Sequence, residues 1–589
     1  MSLVAAETLV AVTKPRRSSS LSPSDPLAAA EARRIGVAKD AFFRRLLVSD
    51  PAVQKQMMTL VTQELVTMIE DRSTLVEDYY PTVLRLEREA PVKVMREAFA
   101  QVRSTVEAVW PELHEATKVC HQVSYFVDNK DVECVEESSD EELDALFYNA
   151  FLRTGRVSHF IQLLGWHKSY LQLFQNSFMS IMIRDGALPM PWRNYIALMA
   201  ASELRCHYWA DLQQYYFVVN GGDYEWVKGI DYISPKLFRL HELSSLLAHR
   251  PWLITEQHIS DLLSSDQDDS WSVSELVHAI IVMCMYHSMS SIALGLGCAE
   301  EEDLAIFGDY GAAIAEQQAI LDLQYPYGMS SKEDQPQIEV ASSAGSLTDQ
   351  DMAMIERDES QLLSRLKSGH EGSDTADDDD DDDENSYEDE SLTVDGVFEV
   401  AEEQSYGLHA DGHRRRDTLW RFCGGSVIRY ADFDVRSTDY NVLHTEDFSW
   451  EEHGFSLVKR YFPGKAGQIL EDLFNLTDKL TYDYYGSQKE QDVDTSPYRS
   501  AIWYYVHRIF GICHDDYDYR QVNEFLNRPT KIFIKKVACT PWKVTKADFE
   551  HFDRTLSPSE KCHVTLLVAE ARKQAGLMYG LRAVMQHMR

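Results

Sequence analysis

One stretch of this chain limits its fold more than any other. From Leu276 to Ala299 the sequence reads LVHAIIVMCMYHSMSSIALGLGCA, 24 residues without a charged side chain, which is long enough to cross a bilayer. It contains two histidines and three serines, and its flanks, Glu275 and Glu300, are acidic rather than basic. We therefore predict a helix buried in the core of a large all-α protein, with no membrane insertion.

The charge of the chain is unevenly distributed. The net charge is −38, and residues 331–405 hold 25 acidic against four basic side chains, which contributes −21. So acidic a chain repels phosphate backbones, which excludes nucleic acid as a partner and favours basic surfaces. The run DDDDDDDENSYEDE has nothing to bury, so the sequence predicts a disordered acidic linker over residues 301–414.

The nine cysteines indicate a reducing compartment. Their number is odd, and they form no CxxC pair and no Cys/His spacing typical of zinc sites. Reduced thiols place the chain in the cytoplasm, with the nucleus as a second compartment, and the sequence indicates no metal and no cofactor. The first twenty residues lack the basic start and apolar core of a signal peptide.

The remaining segments divide the chain into helical parts. Residues 1–38 are rich in Ser, Pro and Ala and are predicted to be disordered. Apolar residues spaced three and four apart predict a helical extension over residues 39–136, and helical halves over residues 137–300 and 415–589. The β-branched run KIFIKKVAC (531–539) is assigned to a helix or an irregular segment.

Two pairs of matching peptides suggest an internal duplication. PWRNYIALMAAS begins at Pro191 and PYRSAIWYYVH at Pro497, while SVSELVHAII begins at Ser272 and SPSEKCHVTLL at Ser557. Both pairs occur in the same order, and each peptide leads into an apolar helix. The two halves therefore read as copies of one helical module.

The SxSE peptides predict capping boxes, in which Glu275 and Glu560 reach back to the start of their helices. Arg499 lies on the apolar stripe of its own predicted helix, where a charge needs a partner. Two alternatives remain open at this point. Arg499 and Glu560 pair with each other, or they bind the carboxylate and ammonium groups of a free amino acid.

The peptide CHDDYDYRQ (513–521) follows the predicted Arg499 helix. Asp518 and Gln521 read as a capping box for the next helix, which leaves Asp515 and Asp516 uncommitted. The two aspartates form either a solvated turn or an acidic contact for a basic partner.

Several long peptides resemble the sestrins, stress-inducible regulators of TOR signalling. The resemblance covers residues 140–300 and 415–589, and it is carried by WRNYIALMAAS, LLAHRPWLIT, SWEEHGFSLVKR and HDDYDYRQVNEFL. It implies an all-α fold of two AhpD/carboxymuconolactone decarboxylase-like halves related by pseudo-symmetry. It also implies inhibition of TOR complex 1 through binding of the GATOR subcomplex upstream of Rag GTPases, which leucine releases in leucine-sensing members.

The resemblance also assigns a candidate peroxidase site. The family's cysteine and tyrosine fall at Cys206 and Tyr208, but its relay histidine falls at Gln213, which cannot accept a proton at neutral pH. The resolving cysteine of AhpD enzymes falls at Trp209. We therefore read Cys206 as a relic, with an alkyl hydroperoxide reductase-like enzyme as the alternative function.

A candidate amino-acid pocket follows from the same resemblance, which gives the carboxylate of the ligand to Arg499 and its ammonium group to Glu560. Asp553, Tyr484 and Tyr498 replace a tryptophan, a threonine and a leucine of the family pocket, which disfavours an isobutyl side chain. Weak leucine binding, a more polar amino acid or no ligand remain alternatives. The positions that resemble the pocket are Thr481, Tyr482, Thr495, Arg499, Glu560 and His563.

Asp515 and Asp516 match the acidic pair with which the family contacts the GATOR subcomplex. The sequence therefore predicts a regulator that binds this partner through its second half. A scaffold in which both pockets are vestigial is a further alternative.

Overall fold

The computed structural model describes most of both predicted halves and of the extension before them. The ranges are 26–117, 122–133, 135, 140–184, 186–263, 269–304, 362, 364–365, 407–408, 414–415, 418–423, 430–480 and 493–589. The described part is all-α, as predicted, apart from four strands of two residues each. Residues 1–25 and most of the predicted acidic linker lie outside the described residues.

The N-terminal extension is a group of helices that pack on one another and against the first half. Its first helix begins inside the tail predicted to be disordered, so that prediction is wrong for residues 26–38. The run PLAAAEAR is rich in alanine, which loses no side-chain entropy in a helix. The helices are α1 (Pro26–Arg44), α2 (Pro51–Glu70), α3 (Leu75–Glu89), α4 (Lys93–Val109) and α5 (Pro111–Ala116).

The first half is built around one long apolar helix, α14. Among the described residues α14 is the one helix long and apolar enough to cross a membrane, and it lies entirely inside the protein. The buried core helix predicted from the uncharged stretch is thus confirmed. The α-helices of this half are α6 (Glu141–Thr154), α7 (His159–Leu164), α8 (Lys168–Phe178), α9 (Met190–Glu203), α10 (His207–Val219), α11 (Pro235–Phe238), α12 (His241–His249), α13 (Glu256–Leu263) and α14 (Val273–Gly295).

The second half ends in a helix of 30 residues, α21. The run KIFIKKVAC lies in α19, so its assignment to a helix is confirmed. The α-helices are α15 (Phe455–Tyr461), α16 (Ala466–Lys479), α17 (Ser496–Ile509), α18 (Arg520–Phe525), α19 (Arg528–Cys539), α20 (Lys546–His551) and α21 (Pro558–His587). The strands are β1 (Gly407–Leu408), antiparallel to β2 (Arg414–Arg415), and β3 (Leu443–His444), parallel to β4 (Ile512–Cys513).

Shorter turns of helix connect these elements. The π-helical turns extend α8 and precede α15, and they span Met179–Ile183 and Trp450–Gly454. The 3₁₀ turns span Asn129–Asp131, Tyr224–Lys228, Ile230–Tyr232, Pro251–Leu253, Glu302–Leu304, Leu419–Phe422 and Pro541–Lys543.

The two halves share one core, because α14 and α21 pack along each other. Polar side chains of α21 find their partners in the first half. The Tyr170 hydroxyl donates to Glu570 Oε1 at 2.8 Å, and Arg572 donates to the Ala248 carbonyl at 2.8 Å and to the Ser291 hydroxyl at 3.0 Å. A buried guanidinium must be hydrogen-bonded, so these contacts fix how the halves pack.

Both predicted capping boxes are present. Ser272 and Glu275 cap α14, and Ser557 and Glu560 cap α21, with the serine accepting from the backbone and the glutamate reaching back. In each half the order also runs from a Pro-started helix, α9 or α17, through a Pro-Trp 3₁₀ turn to a capped core helix. This order agrees with an internal duplication, and AhpD-like pseudo-symmetry stays a prediction.

The predicted linker needs correction at both ends. Glu301 and Asp303 are buried, so the first half continues through Leu304 rather than ending at residue 300. At the other end, β1 and β2 pair within residues 407–415. Residues 301–304 resemble the linker in their acidic composition. They fold because the carboxylates of Glu301 and Asp303 pair with buried cations that are distant in sequence.

Candidate functional site

The candidate pocket begins at the capped end of α21. Glu560 is buried, and its Oε2 accepts hydrogen bonds from the Ser557 backbone nitrogen at 2.8 Å and from the Ser557 hydroxyl at 2.7 Å. The other carboxylate oxygen, Oε1, has no hydrogen-bond partner among the described residues. Glu560 thus combines the capping role with one oxygen that is available to a cationic group.

Arg499 lies in the first turn of α17, and neutral oxygens surround its guanidinium. Nε donates to the Asp478 carbonyl at 2.8 Å, Nη2 to the Ser496 hydroxyl at 3.0 Å, and Nη1 to the Thr495 hydroxyl. Among the described residues no carboxylate forms a salt bridge with this guanidinium. Burial lowers the pKa of Arg499, whereas Asp478 and Asp494 act on it from a distance and raise it.

His563 lies one turn after Glu560 on α21, close to Arg499. Its Nε2 is 3.3 Å from the Thr477 carbonyl, and its ring centroid lies 5.8 Å from that of His167 in the first half. Burial, His167 and Arg499 together lower the pKa of His563 to about 3. The imidazole is therefore neutral at physiological pH and adds no charge to the pocket.

Arg499 and Glu560 are both described, and they do not bond to each other. The first of the two alternatives, an internal ion pair that closes the core, is therefore wrong. Arg499 lies close enough to the His563 imidazole to lower its pKa, and Glu560 lies one turn before His563 on α21. The second alternative, in which the two side chains bind the carboxylate and ammonium groups of a free amino acid, stays a prediction.

The remaining predicted pocket residues divide into described and undescribed positions. Thr495 is buried and bonds to Arg499. Thr481 and Tyr482, with the replaced position Tyr484, lie outside the described residues, which resume at residue 493. The structure thus places Thr495 and His563 next to Arg499, and Glu560 one turn before His563 on α21.

Asp553, which stands where the family has a floor tryptophan, is committed to a local turn. Its Oδ1 accepts from the Thr555 backbone nitrogen at 3.0 Å and from the Thr555 hydroxyl at 2.6 Å. Asp553 also raises the pKa of Lys561 slightly, although burial dominates and lowers that pKa to about 8. A carboxylate and an amine thus lie beside the first turn of α21, and the amine donates to the Phe549 and Glu550 carbonyls, each at 2.9 Å.

The predicted partner-binding residues follow β4, at the far end of α17 from Arg499. Asp515 and Asp516 are both exposed, and Asp515 Oδ1 accepts a hydrogen bond from His444 Nδ1 at 2.8 Å. The neighbouring capping box predicted for Asp518 and Gln521 is wrong. Asp518 instead accepts from the Arg520 backbone nitrogen at 3.0 Å, and α18 has no side-chain cap.

Cys206 lies at the N-cap of α10, not within a continuous helix. It is fully buried, and burial raises the pKa of its thiol to about 12. At pH 7 only about one thiol in 10⁵ would then be a thiolate, the form that attacks peroxides. Gln213 is also buried, and its Oε1 accepts from Asn194 Nδ2 at 2.9 Å, so it belongs to a core hydrogen bond.

A small apolar cavity lies near α10, and Cys206 does not line it. The cavity is lined by residues of α6, α8, the following π-helical turn and α10, including Phe174, Phe178, Trp209 and Leu212. A peroxide in this space would meet aromatic and aliphatic walls instead of the thiol. The geometry around Cys206 thus offers neither a thiolate nor an access route from this cavity.

Tyr208, the second residue predicted for peroxide chemistry, donates a hydrogen bond to Glu301, which belongs to a buried group of charges. We call this group the Asp303 cluster; it consists of Lys39, Arg85, Arg156, His159, Glu301 and Asp303. Arg156 lies 3.0 Å from Asp303 and 3.2 Å from Glu301, and Arg85 lies 2.9 Å from Asp303. Burial alone would raise the pKa of Asp303, but Arg156, Arg85 and Lys39 hold it well below its usual value.

Two features of the sites escaped sequence analysis. The Asp303 cluster draws charges from α1, α3 and the start of α7, so its members have no common spacing. His444 and Cys513 are 69 positions apart in the chain and become neighbours only when β3 pairs with β4. The sequence contains one indication of the Asp303 cluster, which is the position of Glu301 and Asp303 directly after an apolar helix.

Comparisons with known proteins agree with this architecture. Residues 122–588 match the family described as PA26 p53-induced protein (sestrin). A sestrin homolog of Dictyostelium discoideum is 31% identical over 93% of this chain and 89% of its own length. Sestrin-1 of Macaca fascicularis is 36% identical over 79% of this chain and 90% of its own length. Sestrin-2 of Homo sapiens is 33% identical over 77% of this chain and 89% of its own length.

The family match spans well over half of the chain, and relatives above 30% identity cover more than two thirds of it. The two pairs of peptides that suggested the duplication, together with the capped helices α14 and α21, fall within the matched region. The chain belongs to the sestrin family.

Proposed function

We propose that this chain is a non-enzymatic negative regulator of TOR complex 1 signalling that binds the GATOR subcomplex upstream of Rag GTPases. It does so under stress or when amino acids are scarce. The observation that carries the proposal is the exposure of Asp515 and Asp516, side by side, directly after β4. Adjacent exposed carboxylates suit a basic partner surface, where charge complementarity sets partner choice and association rate.

The pocket at the start of α21 supports the amino-acid part of the proposal. Arg499 has no carboxylate partner among the described residues, and Glu560 keeps one carboxylate oxygen without a donor. A zwitterionic ligand would satisfy both groups at once. Because the family resemblance places Asp553 where the pocket floor has a tryptophan, the proposed ligand is an amino acid with a more polar side chain than leucine, or leucine held weakly.

One helix links the pocket to the acidic surface. Arg499 lies in the first turn of α17, and the chain passes from the end of this helix through β4 to Asp515. Fourteen helical residues span about 20 Å, so a ligand that shifts the first turn of α17 also shifts the segment that carries the aspartates. This is the route by which a ligand would release a partner.

The alternative functions receive no comparable support. A hydroperoxide reductase needs a thiolate, and burial raises the pKa of the Cys206 thiol to about 12. Seven described cysteines are free thiols, which agrees with the proposed cytoplasmic location and with the nucleus as a second compartment.

Binding of the purified GATOR subcomplex to the full chain tests the proposal. Asp516→Lys should weaken binding at least about tenfold, because it places a cation where a basic surface docks. Asp516 is the better choice for the variant, since Asp515 also bonds to His444. The matched control is Asp261→Lys, an equal charge change at an exposed position near the end of α13.

Equal loss of binding in both variants would mean that only net charge matters, and retained binding in Asp516→Lys would overturn the proposed surface. Circular dichroism and thermal unfolding of both variants exclude a folding defect as the cause. A wild-type chain that fails to bind the GATOR subcomplex would overturn the proposed function itself.

A further inference from the structure

Three side chains of different chemistry meet on the acidic surface. His444, Cys513 and Asp515, which we call the His-Cys-Asp cluster, each offer one ligand atom, and these atoms all lie within 4.8 Å of one another. The imidazole Nδ1 and the carboxylate Oδ1 are 2.8 Å apart. Imidazole, thiolate and carboxylate groups are the protein ligands of zinc.

The backbone explains why these side chains converge. β3 and β4 are parallel, and His444 pairs in register with Cys513, so both side chains extend from the same face of the pair. Asp515 follows Cys513 by two positions and returns to that face. The residue between them, His514, points inward, where its Nε2 lies 2.7 Å from His507 Nδ1.

The turn after β4 is held in place by its own hydrogen bonds. The Tyr519 hydroxyl accepts from the His514 backbone nitrogen at 3.0 Å, and the Tyr517 nitrogen donates to the His514 carbonyl at 3.2 Å. These hydrogen bonds fix the backbone on both sides of Asp515 and so hold its carboxylate in position. Ligand positions that exist before the ion arrives reduce the cost of binding it.

The distances fit a tetrahedral ion after small side-chain movements. Zinc–ligand bonds of about 2.0–2.3 Å place neighbouring ligand atoms about 3.3–3.6 Å apart. The pair His444 Nδ1 and Asp515 Oδ1 would open by about half an ångström and exchange its hydrogen bond for the ion. Cys513 Sγ would move inward from a separation of at most 4.8 Å.

The chemistry of the ligand set selects the ion. Magnesium and calcium take oxygen ligands almost exclusively, so a nitrogen and a sulfur argue against both. His444 and Asp515 keep 47% and 34% of their side chains exposed, which leaves the fourth position open to water. The adjacent carboxylate of Asp516 adds negative potential that favours a cation.

We propose that His444 Nδ1, Cys513 Sγ and Asp515 Oδ1 bind one zinc ion, with water as the fourth ligand. On binding, the Cys513 thiol releases its proton to solvent and forms a sulfur–zinc bond, and no electron transfer occurs. The site goes beyond the proposed function, because zinc binding requires neither the GATOR subcomplex nor an amino acid.

Two measurements on the full chain test the site, one with zinc alone and one with cobalt(II) as a spectroscopic substitute. Equilibrium dialysis followed by elemental analysis should give one zinc per wild-type chain. Cobalt(II) should produce a thiolate-to-metal charge-transfer band together with the intense visible bands of a tetrahedral ion. Both results depend on ligand identity and not on any partner assay.

Variants assign the ligands. Cys513→Ser should abolish the charge-transfer band, and His444→Ala and Asp515→Asn should each weaken zinc binding by more than about 100-fold, since even residues that only support ligands contribute 10- to 100-fold. The matched control is Cys423→Ser, which removes another partly exposed free thiol and should leave both results unchanged. Zinc should also raise the Tm of the wild type and not that of Cys513→Ser.

Less than one zinc per chain, or a charge-transfer band that survives in Cys513→Ser, would overturn the site. Unfolding curves recorded with a chelator verify that each variant folds, because the cluster is at the surface and its loss removes little core. A chain that binds zinc but not the GATOR subcomplex would refute only the proposed function.

Discussion

The Tyr208 hydroxyl donates a hydrogen bond to Glu301 Oε1 at 3.1 Å, and the same oxygen accepts from the His159 backbone nitrogen at 2.8 Å. The family resemblance places this tyrosine beside a reactive thiol, but in the structure its hydroxyl is hydrogen-bonded to a buried carboxylate. The charges around it stabilise the packing of the N-terminal extension, and none of them activates Cys206.

We expect Cys206 to be chemically inert in the folded chain. Burial raises the pKa of its thiol to about 12, so alkylation at about pH 8 should modify Cys423 and Cys513 long before Cys206. Mass spectrometry of the labelled chain measures this order, and denaturation should equalise the three rates. Hydroperoxide consumption should be the same for wild type, Cys206→Ser and the control Cys423→Ser; a loss confined to Cys206→Ser would contradict the prediction.

Arg499 should recognise the carboxylate of an amino-acid ligand. Calorimetry with a panel of free amino acids identifies the tightest ligand, which we expect not to be leucine. Its methyl ester should bind the wild type about 10- to 100-fold more weakly, since a charge-assisted hydrogen bond contributes about 1.5–3 kcal/mol.

The variant Arg499→Gln completes this test as a double-mutant cycle. In it the free acid and the ester should bind with equal affinity, because the group that distinguishes them is gone. Arg508→Gln, on the same helix, is the control and should keep the preference for the acid. If Arg499→Gln still prefers the acid, the carboxylate is bound elsewhere.

The stability contributed by His159 should be lost in alkaline solution. Burial would lower the pKa of His159, but Glu301 and Glu89 outweigh it and raise the pKa to about 9 from an ordinary 6.5. A raised histidine pKa stabilises the fold fully below pH 6.5, and this stability disappears as the pH rises through 9. The contribution at low pH is on the order of 3 kcal/mol.

Urea unfolding at about pH 6 and pH 9.5 measures this effect. The difference in unfolding free energy between wild type and His159→Gln should shrink across that interval, and the same difference for the partly exposed His258→Gln should not change. Lys39, whose pKa is lowered to about 8 mainly by burial, titrates in the same window. The pH-dependent stability contributed by Lys39 largely cancels in the difference, because wild type and His159→Gln both retain this lysine. A difference that is constant with pH would rule out a charged His159.

The two halves should associate even when the chain between them is cut. Residues 1–330 and 331–589 produced together should co-purify as a one-to-one complex, because α14 and α21 bury each other. Arg572→Ala should weaken the complex strongly, as it removes the donor to Ala248 and Ser291. Arg582→Ala on the same helix is the control. Soluble, folded monomers of either half alone would contradict a shared core.

Local spacing predicted those parts of the structure that depend on local interactions. The capping boxes at Ser272 and Ser557 follow from residues within one turn of each other, and the buried helix α14 follows from one continuous uncharged stretch. The predicted Asp518–Gln521 box shows the limit of the same rule. Asp518 bonds to the nearer Arg520 nitrogen, so the helix starts later than the motif indicates.

Contacts between distant segments could not be read from spacing. Arg156 and Asp303 are 147 positions apart, and His444 and Asp515 are 71 apart. For Arg499, the sequence correctly indicated a buried charge that needs a partner. It could not tell that the neutral oxygens of Asp478, Thr495 and Ser496 solvate this charge, which leaves it available for a ligand.

The ion pair between Arg85 and Asp303 shows that the fold of this chain extends upstream of the family match. The family match starts at residue 122, yet two upstream cations contact Asp303 in the first half. Arg85 lies 2.9 Å from its carboxylate, and Lys39 donates to its backbone carbonyl at 2.6 Å. A chain trimmed to residue 122 would leave Arg156 as the one arginine that bonds to the Asp303 carboxylate among the described residues, and would expose the surface that packs beneath α1 and α3. The helices upstream of residue 122 are therefore an integral part of the folded first half, because they supply the charges that stabilise its buried carboxylate.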